Sequence, residues 1–105
     1  EKAAVDATFA RAEHVTRMEI KNKRVTGLPL APAAAIGLYD DVTGGYTLRA
    51  GSQGILIQKR ALCGCFGVGD DKVRVICRDV GGGFGTKNLI YREYVLVCWA
   101  ARKAP

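Results

Sequence analysis

Four glycines fall within the five positions Gly81 to Gly85, interrupted only by Phe84 and followed by Thr86 and Lys87. No other stretch constrains the backbone so strongly. Glycine reaches angles that other residues resist and lets another group approach the main chain. It also loses the most conformational freedom on folding, so a cluster favours close backbone approach to something over a plain turn. The residues before it, DKVRVICRD (71 to 79), alternate Val73, Val75 and Cys77 with Arg74 and Arg78, the period of a strand with one buried face. The residues after it, NLIYREYVLVCWAARK (88 to 103), read as a helix. Asn88 is the candidate cap, and Arg102 and Lys103 sit in the last turn, where cations suit the dipole. The apolar run from Tyr94 to Ala101 covers every face, so burial on more than one side is expected, with Tyr94 and Trp99 in the core.

Strand, glycine loop and helix together make the geometry of a phosphate cradle. The known phosphate motifs nevertheless fail here. A P-loop ending on Lys87 would need glycine where Thr86 stands and a hydroxyl where Asn88 stands. The dinucleotide fingerprint begun at Gly81 and Gly83 also meets Thr86 in place of its last glycine, and no acidic residue follows about twenty positions on.

Upstream, residues 1 to 12 are alanine-rich and read as a short helix. HVTRMEIKNKRV (14 to 25) alternates and predicts a strand, with KNKR as its solvated end. Gly27, Pro29 and Pro32 mark a loop over 26 to 33. AAIGLYD (34 to 40), a DVTGG turn and YTLRA (46 to 50) predict a hairpin. Ser52 is a candidate cap for a helix over 53 to 66 with Ile55, Leu62 and Phe66 on one face, ended by Gly67 and Gly69. The order β-β-β-α-β-α is an α+β arrangement, and 105 residues suffice for one small domain.

A net charge of +6 raises nucleic acid or an acidic membrane surface as partners, but the 16 basic residues are scattered and do not interleave with aromatics. No apolar run is long enough to span a bilayer. Neither nucleic acid nor membrane is expected. The N-terminus has no basic start with an apolar core, so a secretory signal is not expected and a cytoplasmic location is. The chain starts at Glu1 without an initiator Met, the expectation for a processed or excised piece. Cys63, Cys65, Cys77 and Cys98 form no CxxC, and the single His14 is distant, so no zinc or iron–sulfur ligand set emerges. Reduced thiols packed as small hydrophobes are expected.

DKVRVICRDVGGGFGTKN, taken with AGSQG at 50 to 54, closely resembles the molybdopterin-binding large subunit of the xanthine dehydrogenase, aldehyde oxidase and carbon monoxide dehydrogenase family. The G-G-G-F-G-x-K motif is characteristic of that family. So is a glutamine thirty-one residues before its Phe, a spacing that Gln53 and Phe84 reproduce. AAIGLYD, YTLRAGSQG and YREYVLVCWAAR resemble its carbon monoxide dehydrogenase-like branch. The resemblance covers nearly the whole chain.

The resemblance implies a molybdenum–pterin cofactor, as molybdopterin or its cytosine dinucleotide form. Gln53 would donate to an oxygen-type ligand of molybdenum, while Gly82, Gly83, Phe84 and Gly85 would lie against the pterin and metal. Phe84 would also wall the substrate pocket. No protein side chain would ligate the metal. Apart from the resemblance, Lys87 reads as a solvated or loop-bracing lysine and not a catalytic one. Implied partners are the rest of the molybdenum subunit with iron–sulfur and FAD subunits. The departures are Ala31-Pro32-Ala33 where the family has E-P-R, Arg92 where it often has Pro, and Asn88 where purine-oxidising members have glutamate. A purine substrate is therefore disfavoured. Glu1, Glu13, Glu19 and Glu93 do not match the family's general-base glutamate, so no catalytic residue is assigned. The expectation is one partial cofactor-binding domain, 1 to 105, that is not catalytic alone and does not complete its cofactor site. Two alternatives stay open: an orphan domain that mediates association, including self-association, and a small anion- or nucleotide-binding module.

Overall fold

Tyr46, Leu48 and Ala50 alternate with Thr47 and Arg49, and this alternation sets the centre of the sheet. The computed structural model describes residues 1–104. In chain order the elements are α1 (Lys2–Arg11), β1 (Ala35–Asp40), β2 (Gly45–Ala50), α2 (Ile55–Phe66), a single 3-10 turn (Asp70–Lys72), β3 (Val73–Ile76) and α3 (Arg92–Lys103). β1 and β2 form an antiparallel hairpin with Ala35 opposite Ala50 and Tyr39 opposite Tyr46. β3 pairs in parallel on the other side of β2, with Tyr46 opposite Val73. A parallel return needs a crossover, and α2 supplies it.

One face of the sheet is covered. Tyr46, Leu48, Ala50 and Val73 pack with Leu62 of α2 and with Tyr94 and Cys98 of α3. Leu48 and Leu62 are fully buried, worth roughly 1.5–3 kcal/mol each in transfer from water. The opposite face, with Ile36, Leu38, Arg49 and Arg74, is exposed. α3 crosses β1 at Gly37, where any Cβ would overlap the carbonyl of Val97. Tyr46 stacks on Phe66 at 4.4 Å between ring centroids and meets Tyr39 at 4.8 Å. The Arg102 guanidinium donates to the Tyr46 hydroxyl at 3.2 Å and lies over the Tyr39 ring.

The hairpin turn is fixed by Asp40. Its carboxylate accepts from the Val42 and Thr43 N–H groups and from the Thr43 hydroxyl, at 2.9, 3.3 and 2.7 Å. Asp closes such turns because its short side chain reaches the backbone two residues on.

The α+β class holds, with three helices and a three-stranded sheet. The first predicted strand does not form: residues 12–34 carry no helix or strand, so the order is α-β-β-α-β-α. Alternation gives a face to bury, but a strand also needs a neighbour, and no strand lies beside 14–25. α2 is capped at Gly54 and not at Ser52, whose hydroxyl instead accepts from the Gly54 N–H at 2.9 Å. Ile55 is exposed, and Gln58 takes the expected buried place beside Leu62. α3 begins after Tyr91 and not at Asn88. Only one side of α3 is covered: Tyr94 and Cys98 are buried, whereas Trp99 is 53% exposed. A three-stranded sheet has one covering layer here, so no second surface exists to receive the rest of that helix. Among the thiols Cys98 is buried, Cys63 and Cys77 half-buried and Cys65 exposed. Among the described residues no helix is long and apolar enough to cross a membrane.

Candidate functional site

β2 ends at Ala50 and β3 at Ile76, neighbouring parallel strands whose C-terminal ends lie side by side. Ligands of open α/β sheets bind outside such ends. The Ser52–Gln53 segment leaves one strand, and the glycine loop leaves the other. Cys77 joins them. The Ser52 N–H donates to its Sγ at 3.2 Å, and its S–H reaches the Ser52 carbonyl at 3.5 Å.

This arrangement brings Gln53 onto the glycine loop. The Gln53 N–H donates to the Lys87 carbonyl at 3.0 Å. Its side-chain Oε1 accepts from the Gly85 N–H at 3.2 Å and from the Lys87 N–H at 3.4 Å. Two main-chain donors on one side of an amide fix which end is oxygen. Among the described residues Nε2 has no acceptor, so its two N–H bonds are left for something else. At Gly83 any Cβ would fall onto the Gln53 side chain, so a larger residue there would displace that side chain from its place on the loop.

The loop itself is tightly wound. Gly81, Gly82 and Gly85 have φ of 62°, 86° and 86°. Phe84 also sits at positive φ, 48°, the only non-glycine among the described residues to do so. A bulky residue held there signals a local cost accepted for position. Its ring is 71% exposed, and it lines a cleft of about 320 Å³ with Val25, Thr26, Gly27 and Leu28. Nothing lies within 4 Å of a Cβ built on Gly85, so the loop presents an open side there.

Gln53, Gly82, Gly83, Phe84 and Gly85, the predicted site residues, therefore lie together at this end of the sheet, all exposed except Gly83, which is buried. Lys87, expected to be solvated or to brace the loop, is 3% exposed, so it is not a solvated lysine. Its ammonium donates to the carbonyls of Ala31 at 2.9 Å and Val80 at 2.5 Å. The Ala31 N–H returns a bond to the Gly81 carbonyl at 3.2 Å. The 26–33 segment is thus stitched to the loop, a connection the sequence reading missed. Its one sequence signal is a lysine directly after a glycine motif with no nearby carboxylate.

A family model, the molybdopterin cofactor-binding domain, matches residues 1–105. This chain belongs to that family. The large chain of carbon monoxide dehydrogenase from Hydrogenophaga pseudoflava is 34% identical over 95 residues, 90% of this chain and 12% of that protein. Subunit gamma of the 6-hydroxypseudooxynicotine dehydrogenase complex from Paenarthrobacter nicotinovorans is 30% identical over 98 residues, 93% of this chain and 12% of that protein. A crystal structure of Cu,Mo-CO dehydrogenase superposes with a TM-score of 0.73 and 32% identity, covering 99% of this chain and 13% of the other. This chain thus spans only 12–13% of the length of the relatives it matches.

Proposed function

We propose that this chain, 1–105, is a single partial domain forming one wall of a molybdenum–pterin site in a molybdenum hydroxylase large subunit. One observation carries the reading. The Gln53 carbonyl is gripped by two loop N–H groups, which commits its NH2 to donate outward. An oxygen ligand on a metal is a natural acceptor for such a donor, and a second-sphere amide of this kind orients and tunes a metal group without ligating it. The wound main chain of Gly82 to Gly85 can approach a flat pterin because no Cβ intervenes at three of its four positions. The residues present therefore fit the group.

When bound, the cofactor supplies two-electron oxidation chemistry. This chain's part is to orient it through Gln53 and the loop, and to shield it with Phe84. The general base lies outside these residues, so the isolated chain is not catalytic. In the full assembly the reaction is oxidative hydroxylation of an aldehyde or heterocycle, or oxidation of carbon monoxide. Electrons leave to iron–sulfur and FAD partners, in a cytoplasmic enzyme. Asn88 at the loop's exit lacks the carboxylate that a purine would need. The pterin is molybdopterin or its cytosine dinucleotide form.

Coexpression of a full large subunit carrying this domain with molybdenum-cofactor supply, followed by metal analysis and pterin fluorescence, tests this. Bound molybdenum and pterin in that subunit, cut at least about tenfold by Gln53→Ala, is the expected result. Retention of both by the variant, or uptake by neither, overturns it.

A further inference from the structure

Lys87 makes two of the three hydrogen bonds that tie Gln53 to the glycine loop, and it also ties the loop's exit to its entrance. Its main-chain N–H donates to Gln53 Oε1, and its carbonyl accepts from the Gln53 N–H. Its ammonium reaches back seven residues to the Val80 carbonyl, which is where the loop begins. The side chain thus closes residues 80–87 into a ring, and its second bond, to Ala31, fastens that ring to the 26–33 segment. Among the described residues no carboxylate pairs with this buried cation. Two carbonyls hold it. A buried charge with so little compensation is expensive, and its retention asks for a reason.

The reason lies in what the ring contains. Four of its eight residues are glycine, with no side chains to fix their own geometry. The remaining internal restraints are the Thr86 N–H and hydroxyl bonds to the Gly83 carbonyl. Neither holds Gly85 against Gln53. A glutamine's terminal torsion is broad and roughly two-fold, so only the loop donors decide which end of the amide faces out.

We propose that Lys87 is the positioning residue that sets the polarity of the Gln53 amide. By closing the loop it keeps the Gly85 and Lys87 N–H groups on Oε1, so the outward face is a donor. Without the closure the amide turns over, and the site presents an acceptor to a ligand that also accepts. The inference deepens the molybdenum–pterin reading and rests on it for the identity of that ligand. The positioning itself concerns this chain alone.

The test is nuclear magnetic resonance of the ¹⁵N-labelled 105-residue chain without cofactor, the Gln53 NH2 pair being assigned by its loss in Gln53→Ala. In the native chain the Gly85 and Lys87 amides exchange at least about tenfold more slowly than that of Gly82, which is not hydrogen-bonded. In Lys87→Met that protection disappears and the Gln53 pair moves to the position of a free glutamine, while the β2 amides stay in place. Lys87→Arg, which can still donate to both carbonyls, restores part of the protection. The assignment is overturned if Lys87→Met leaves the Gly85 protection and the Gln53 pair unchanged. It is equally overturned if Lys87→Met and the milder Lys87→Gln both erase the β2 signals, since Lys87 would then be a residue of the fold at large. Retention of molybdenum and pterin by the Gln53→Ala full subunit would sink the functional reading and leave these signals to be judged on their own.

Discussion

Phe84 and Gly83 are neighbours with opposite conflicts. Phe84 has a side chain where the backbone favours none, at φ 48°. A non-glycine residue in the left-handed region costs roughly 1–2 kcal/mol, and glycine recovers this while giving back about 0.5–1 kcal/mol of chain entropy. The exposed ring contributes little burial. Phe84→Gly should therefore raise stability by roughly 0.5 kcal/mol, read as a higher urea midpoint at unchanged slope; a lower midpoint would show that the ring is anchored. Gly83 has no side chain where Gln53 occupies the space. Gly83→Ala should destabilise by about 1–2 kcal/mol, as overpacking does, and the loss should largely vanish in a Gln53→Ala background. Additive losses would place the conflict elsewhere. That Gln53 meets the glycine loop was legible because the family resemblance links the two at that spacing. The burial of Lys87 was not, because it depends on Ala31, fifty-six residues earlier. No local pattern reports a contact of that range.

At the scale of elements, the hairpin and the two covering helices were legible from apolar patterning together with turn and end signals. Each buries a single face, and a period reports a face. The strand expected over 14–25 and the many-sided burial of α3 failed for one shared reason: both need a neighbouring surface that these elements do not have. Gln58 fills a position that an apolar pattern would give to leucine, and a polar residue is invisible to that pattern. Two elements carry pH dependence. The hydrogen bonds from Thr43 and Val42 hold the Asp40 carboxyl below its usual 3.8. The turn's contribution is therefore complete above about pH 4 and is lost as the pH falls through the lowered value. Asp40→Asn should flatten the acid limb of a stability–pH profile, and an unchanged limb would refute the assignment. On α3, burial pushes the Cys98 thiol up from 9.0 to about 11. The neutral thiol suits the folded state, so its contribution is full below pH 9 and fades as the pH rises toward 11. Alkylation at pH 8 should label exposed Cys65 first and leave Cys98 until the chain unfolds. Early labelling of Cys98, found by peptide mapping, would mean that α3 opens locally.

The whole molecule is elongated. Its radius of gyration is 23.0 Å and its longest dimension 74 Å. A compact chain of this length has a radius near 13 Å. The excess comes from α1 and the segment after it, where Phe9, Met18, Ile20, Val25 and Leu30 are all exposed, Leu30 completely. Single exposed apolar residues are ordinary, but a row of them on an arm is a surface waiting to be covered. Trypsin should therefore cut first at Arg17, Lys21, Lys23 or Arg24 and leave a resistant body that contains all three strands. Protection of those bonds in the free chain would mean that the arm folds back or pairs with a second copy.

The arm does not join the body at a neutral place. It is stitched down at Ala31, on the same lysine and the same glycine turn that hold Gln53. Any tug on the first thirty residues loads that stitch before it reaches the sheet. Mechanically the arm is a handle, and the proposed site is the pin on which it turns.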